Sequence, residues 1–297
     1  MTAKKPIIDA HHHIWRRADL PWLLGPTQPR IFGPYDAIKR DYLIDEFRAD
    51  IAGSGVTKSV YVQANWAANW FLDEARWVAE VSEETGWPHA IVAYCDMTQD
   101  DAGPDLEKLS DIPLVRGIRH QMHHHHNPLY RFASGPDVVG SGAVIRNVRR
   151  LAAYDMVFEL QIFDAQVPAA LMLVEACPDV TFVLQHSGMP EDLTDEGKAA
   201  WRKAIGRLAE APNVLCKLSG FGTFIHANDP AHIAWTVGES LKMFGAERCL
   251  YGSNFPIEKL WTDYGSLIGA VKDALAGVPK EARRAVLHDT AAKAYRL

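Results

Sequence analysis

The stretch Ile7-Ile8-Asp9-Ala10-His11-His12-His13 joins a short apolar run to three imidazoles, and the same plan recurs seven times further along the chain. The later runs are Ser59-Val60-Tyr61-Val62-Gln63, Ala90-Ile91-Val92-Ala93-Tyr94, Leu114-Val115-Arg116-Gly117-Ile118 and Val157-Phe158-Glu159-Leu160-Gln161-Ile162. Thr181-Phe182-Val183-Leu184, Val214-Leu215-Cys216-Lys217-Leu218 and Arg248-Cys249-Leu250-Tyr251 complete the set. Each is rich in β-branched and aromatic residues and too short for a helix, so each reads as a strand. Between them, apolar residues three and four apart predict helices over 44–51, 70–81, 144–151, 167–174, 201–208, 233–244 and 264–275, each with one buried face. Gly55, Gly86 and Gly245 stand where a helix would be capped. Strands alternating with helices pair in parallel through crossover connections. Eight such units in 297 residues fit an α/β fold, a (β/α)8 TIM barrel spanning 1–297 as one domain. A doubly wound nucleotide-binding sheet wants G-x-G-x-x-G after a strand. Neither Gly140-Ser141-Gly142 nor Gly220-Phe221-Gly222 has the third glycine, and there is no Walker A sequence.

Composition narrows the function classes. The net charge of -6 lacks the clustered positive charge that nucleic-acid binding requires. No apolar run approaches the ~18 residues of a membrane span, and Met1 to Pro6 leads into Ile7 without the apolar core of a secretory leader. Cys95, Cys177, Cys216 and Cys249 are scattered with no C-x-x-C pair. Thiols inside apolar runs behave as small hydrophobes, which suits a reducing cytoplasm. A small-molecule substrate, neither a nucleic acid nor a membrane, is the expected partner, and a homo-oligomer stays open.

The residues just beyond each apolar run carry the chemistry. In a parallel barrel the active site forms at the carboxyl ends of the strands. Those positions hold His11 and His13, Asn65, Asp96, Arg119 and His120, Gln161, His186, Lys217 with Ser219, and Asn254. Alternate residues of a strand share a face, so His11 and His13 point together and His12 points away. Two imidazoles so placed can chelate one divalent metal, or can be buried and bonded to neighbours. His186 offers a third nitrogen. His123-His124-His125-His126, four adjacent imidazoles in a loop, reads as a pocket edge, with His124 among the substrate-binding candidates. The irregular stretches from Arg16 to Asp41 and from Gln121 to Gly140 are long enough to be lids or pocket walls. There is no G-x-S-x-G elbow for serine-hydrolase chemistry.

Five segments, taken together, resemble the amidohydrolase superfamily, in particular its amidohydrolase-related group of sugar-lactone and 2-pyrone-4,6-dicarboxylate lactone hydrolases. They are Ile8 to Trp15, Val115 to His120, Phe182 to Pro190, Val214 to Gly220 and Leu250 to Pro256. The resemblance implies a distorted TIM barrel and hydrolysis of a C–O ester bond in a small, anionic cyclic substrate. It implies metal or catalytic roles for His11, His13 and His186, and a carboxylate-gripping role for Arg119. Two positions depart from the pattern. Gln161 stands where many relatives have a metal-binding histidine, and Asn254 where an aspartate usually activates water. Asparagine has no titratable carboxylate to take that proton. His186 is the expected replacement base, with one zinc or no metal at all. Substrate contacts are expected from Arg119, His120, Gln161, Lys217, Asn65 and His124. The other readings are a metal-dependent decarboxylase of an unsaturated or aromatic acid, and a non-catalytic ligand-binding protein.

Overall fold

A computed structural model describes residues 6–297; the expectation about a leader at Met1 to Lys5 lies outside them. Eight strands form one sheet in sequential order, every neighbour parallel. They are β1 (Ile7–His12), β2 (Val56–Val62), β3 (Ala90–Ala93), β4 (Val115–Arg119), β5 (Val157–Leu160), β6 (Phe182–Leu184), β7 (Val214–Leu218) and β8 (Cys249–Tyr251). The sheet curls until its edges meet just past β8. There the Asn254 N–H donates to His11 O and the His13 N–H to Phe255 O, each at 2.7 Å. The result is the (β/α)8 barrel that the alternation of the sequence implies.

A helix follows every strand: α1 (Ile44–Asp50), α2 (Phe71–Thr85), α3 (Gly103–Ser110), α4 (Gly142–Arg149), α5 (Val167–Ala176), α6 (Asp195–Ala209), α7 (Pro230–Phe244) and α8 (Tyr264–Ala274). Local chemistry sets their ends. Thr194, Asp229 and Asp263 accept first-turn N–H groups of α6, α7 and α8, satisfying donors that have no partner within the helix. Gly86 closes α2 in the left-handed conformation at φ 77. Helix α3 and the C-terminal turns α9 (Lys280–Arg284) and α10 (Thr290–Tyr295) go beyond the helices read from periodicity.

The pleat sorts side chains into two layers. Ile8, Ala10, Val60, Val62, Ala90, Val92, Val157, Val183 and Leu250 fill the barrel and pack with Ala291 and Tyr295 of α10. Outward-facing residues such as Tyr61, Ile91, Phe158, Phe182 and Cys216 join the apolar stripes of the helices in a larger core. His12 belongs to this outer layer, its ring stacked on Phe47 with centroids 3.8 Å apart. All four cysteines are buried and free. Among the described residues no helix is long and apolar enough to cross a membrane.

Candidate active site

Midway up the barrel the filling changes from aliphatic to ionic. Glu159 on β5 is fully buried and accepts hydrogen bonds from Lys217 Nζ at 2.6 Å, from Gln185 Nε2 at 3.0 Å and from the Tyr295 hydroxyl. Gln185 in turn accepts from Arg119 at 3.3 Å, and Arg119 also donates to Gln63 O. Two cations and one carboxylate thus share this dry layer, and two more buried carboxyls lie within electrostatic reach, Glu74 of Arg119 and Asp9 of Lys217. Burial lowers the pKa of both cations, Arg119 to about 10, and Glu159 opposes the shift in each case.

Above this layer sit the histidines. His11 and His13 present Nε2 atoms 3.3 Å apart, and the His11 ring lies 4.9 Å from that of His186. Burial lowers the pKa of all three. Arg119 and His186 add to the effect on His13, Arg119 and Lys217 to that on His186, and Lys217 to that on His11. His13 and His186 fall to about 3, so both are neutral at physiological pH. Val62 O, 2.7 Å from His13 Nδ1, can only accept, so the His13 proton is on Nδ1. Its Nε2 then carries the lone pair and accepts from His11 Nε2–H. His186 Nδ1 lies 2.9 Å from Ser219 Oγ. The Ser219 backbone raises the pKa of His186, and when Nδ1–H is donated to Ser219 the ring keeps Nε2 as an acceptor.

The strand exits are bent to bring these groups together. Asn65, His186 and Asn254 all adopt left-handed backbone, at φ 62, 52 and 58. Asparagine tolerates that conformation and histidine less readily, and such strain collects where a structure must aim side chains. Gly220, at φ 63, lies so close to the His186 ring that an added Cβ would come 2.5 Å from Nδ1.

A cavity of about 460 Å³ opens over this floor. His13, Asn65, Arg119, Gln161, His186 and Asn254 line it, which brings six of the strand-exit residues together. The segment from Arg16 to Asp41 contributes Trp22, Arg30, Ile31 and Phe32, and that from Gln121 to Gly140 contributes Gln121, His123, Arg131 and Phe132. Both irregular stretches are pocket walls. Trp22 is held by a bond from Nε1 to Ala64 O at 3.0 Å and by edge-on contacts with Trp15 and Phe32. Three arginines and no Asp or Glu line the cavity, in a chain whose net charge is -6. The Nε atoms of Arg119 and Arg30 are buried without a hydrogen-bond partner.

Several candidates lie elsewhere. Lys217 is fully buried in the ionic layer beneath the pocket, because its place on β7 is one residue pair below the rim. His11 is likewise sealed beneath His13. His120 turns to the far side of β4, where its Nδ1 accepts from Met97 N–H at 3.1 Å. His124 is held by its backbone, whose N–H donates to Gln166, and His123 lines the cavity in its place. Sequence reasoning missed Arg30 and the buried Gln185–Glu159 pair. An inward position two residues before each strand exit was the available signal for Glu159.

The metal set offered by the sequence does not fit. Two nitrogens on a tetrahedral zinc stand about 3.3 Å apart, but a catalytic zinc keeps about three protein ligands. Among the described residues no three His, Cys, Asp or Glu side chains converge in that way. His11 and His13 make one edge of a polyhedron, and His186 does not complete it.

A parallel barrel with neutral imidazoles and a buried guanidinium at the carboxyl ends of its strands is the architecture of barrel enzymes. The sequence model of the family described as amidohydrolase matches residues 8–297. The chain belongs to this family of hydrolases. It is 34% identical over 296 residues to the uncharacterized protein y4mH of Sinorhizobium fredii, covering 98% of each chain. It is 28% identical over 303 residues to an L-fucono-1,5-lactonase of Burkholderia multivorans, covering 98% of this chain and 96% of that one. A crystal structure of an amidohydrolase from Burkholderia multivorans with bound zinc superposes with a TM-score of 0.81 at 27% identity, covering 98% and 99%.

Proposed function

We propose that the pocket hydrolyses the ring ester of a small anionic lactone by attack of water on the carbonyl. The observation that carries this reading is the cavity's lining, three arginines and no acid among the described residues. Relatives named as lactonases, at modest identity, support a lactone ring as the bond attacked; its charge rests on the cavity lining. In the reaction a neutral carbonyl becomes an oxyanion, and donors fixed in a dry site stabilise that change most. Arg119, with its buried and unpartnered Nε–H, is placed to meet the oxyanion at the floor. Arg30, whose Nε–H is also unpartnered, meets the permanent carboxylate nearer the mouth, where a guanidinium suits a carboxylate. Trp22 and Phe32 cover the ring and exclude water.

His186 has a specific part in this scheme. An imidazole pushed to about 3 is a poor proton store at neutral pH, since an efficient base has a pKa near the working pH. Its Nε2 therefore accepts a hydrogen bond from the attacking water and orients it. One proton of the attacking water passes to the ring oxygen as the acyl–oxygen bond breaks, giving the product hydroxyl, and the other is lost to solvent from the new carboxyl group. His13, with Nδ1 bonded to Val62 O and Nε2 to His11, has both ring nitrogens engaged and holds the floor in place.

Initial rates on a panel of lactones, with and without a carboxylate, test the proposal in a pH-indicator assay. Turnover confined to anionic members, and reduced in His186→Ala, is expected. A folded protein that opens no lactone would refute it. A binding-only protein, which Asn254 favours, would instead show ligand-induced thermal stabilisation without product.

A further inference from the structure

Asn254 occupies the position from which a carboxylate would be expected to act, yet a carboxylate is present one helical turn away. The Glu258 N–H donates to Asn254 O at 3.2 Å, so the two residues lie on one side of the same tight turn after β8. Glu258 is 1% exposed. Its Oε2 accepts from Gly222 N–H at 3.0 Å and from Trp261 Nε1–H at 2.9 Å. Its Oε1 is buried with no partner in hydrogen-bonding geometry, although the Asn254 side chain is close enough to lower its pKa. A half-satisfied buried carboxyl is costly and asks for a reason. Packing supplies none, because glutamine would fill the same space and still accept both N–H bonds.

We infer that Glu258 and Asn254 form a carboxyl–amide dyad in which Glu258 is a positioning residue that sets which end of the Asn254 amide faces the pocket. An ionised carboxylate only accepts. It draws Asn254 Nδ2–H toward Oε1 and leaves Oδ1 facing the cavity, where it accepts a hydrogen bond from the attacking water. A protonated carboxyl donates instead, takes up Oδ1 and turns the NH2 outward, which cannot accept from water. Burial pushes Glu258 up to about 7, with only N–H groups to oppose it and no cation among its partners, so the two states interchange near neutrality. The other titratable groups that face it are few. Tyr251 of β8 is held well above 10 by burial, His13, which the Asn254 side chain also contacts, falls to about 3, and His226 of the loop after β7 lies across the Trp261 ring at 5.8 Å.

The inference rests on the hydrolytic reading, but its first test needs no substrate. The side-chain amide resonances of Asn254, identified by their loss in Asn254→Asp, should shift with pH with a midpoint near 7 and become pH-independent in Glu258→Gln. His226→Gln should leave the shift in place. An amide that does not titrate between pH 5 and 9 overturns the dyad whatever the substrate proves to be. With a turned-over lactone, Glu258→Gln should lower kcat/KM by about 10- to 150-fold, the loss of one hydrogen bond to a charged group, and abolish its acid limb. In an Asn254→Asp background, where a carboxylate already faces the water, the same change should cost less than about twofold. An equal loss in both backgrounds would make Glu258 merely structural and would refute the proposal.

Discussion

Replacing Lys217 with methionine tests the ionic layer on which the site is built. Methionine matches the lysine stem in length and removes the ammonium, so Glu159 keeps Gln185 and Tyr295 as donors but loses its charged hydrogen-bond partner. Both members of the pair are fully buried. Removing one partner of such a pair ordinarily costs about 3–5 kcal/mol, because the other charge is left uncompensated. At ~2.1 cal/mol/K per residue for unfolding entropy, a chain of this size should lose about 5–8 °C in Tm. Lys217→Met combined with Glu159→Gln removes both charges and should recover all but about 1–2 kcal/mol. The same single change should raise the pKa of His11 and His186, which Lys217 helps to lower. Denaturant unfolding of the single and double variants gives the coupling, and imidazole NMR titrations give the pKa values. If Lys217→Met unfolds at the wild-type midpoint, or the double variant is no more stable than the single, the reasoning about the layer is wrong.

The same geometry has other consequences. Arg119→Met should lower kcat with little change in KM, and Arg30→Met should raise KM with little change in kcat, each by about 10- to 100-fold for a lost charged hydrogen bond; steady-state kinetics on the best anionic lactone separate them. Gly220→Ala forces a Cβ against the His186 ring at a left-handed position and should cost about 1–3 kcal/mol of stability together with most activity, as read by thermal unfolding and rate. Stability should fall as pH drops below 6.5, since His13, His123 and His186, lowered to about 3, bind protons in the unfolded chain before they do so in the folded one. Glu74 and Glu258, raised to about 7, act oppositely, their contribution being present below 4.5 and lost as pH rises through 7. The histidines outnumber them by one, so ΔG from denaturant curves should decline by only about 1 kcal/mol between pH 7 and pH 5, and a rise in ΔG over that range would contradict the placement of the histidines.

The barrel was legible in the sequence because every strand is a short apolar run closed by a polar residue, and most crossovers carry a clean helical stripe. Helix α3 was not, since Gly103-Pro104-Asp105 breaks its pattern at the start and only Leu106 and Leu109 are buried in its eight residues. The rim residues His13, Asn65, Arg119, Gln161, His186 and Asn254 were legible as strand exits. Their depth was not. Lys217 and Ser219 are spaced like His11 and His13, yet only His13 of these reaches the cavity, because the strands enter the barrel at different heights. His120 shows the other limit: it adjoins Arg119, and the pleat that turns Arg119 inward turns His120 out. Glu258 lay outside any strand exit, and its importance depends on burial and an orphaned oxygen that spacing cannot convey.

Acyl–oxygen hydrolysis at the arginine-lined rim can be followed by running the reaction on an anionic lactone in water enriched in oxygen-18 and weighing the product. One heavy oxygen, located in the new carboxyl group, and no carbon dioxide are expected. A label in the product hydroxyl, release of carbon dioxide, or no incorporation by folded protein across the lactone panel would contradict it.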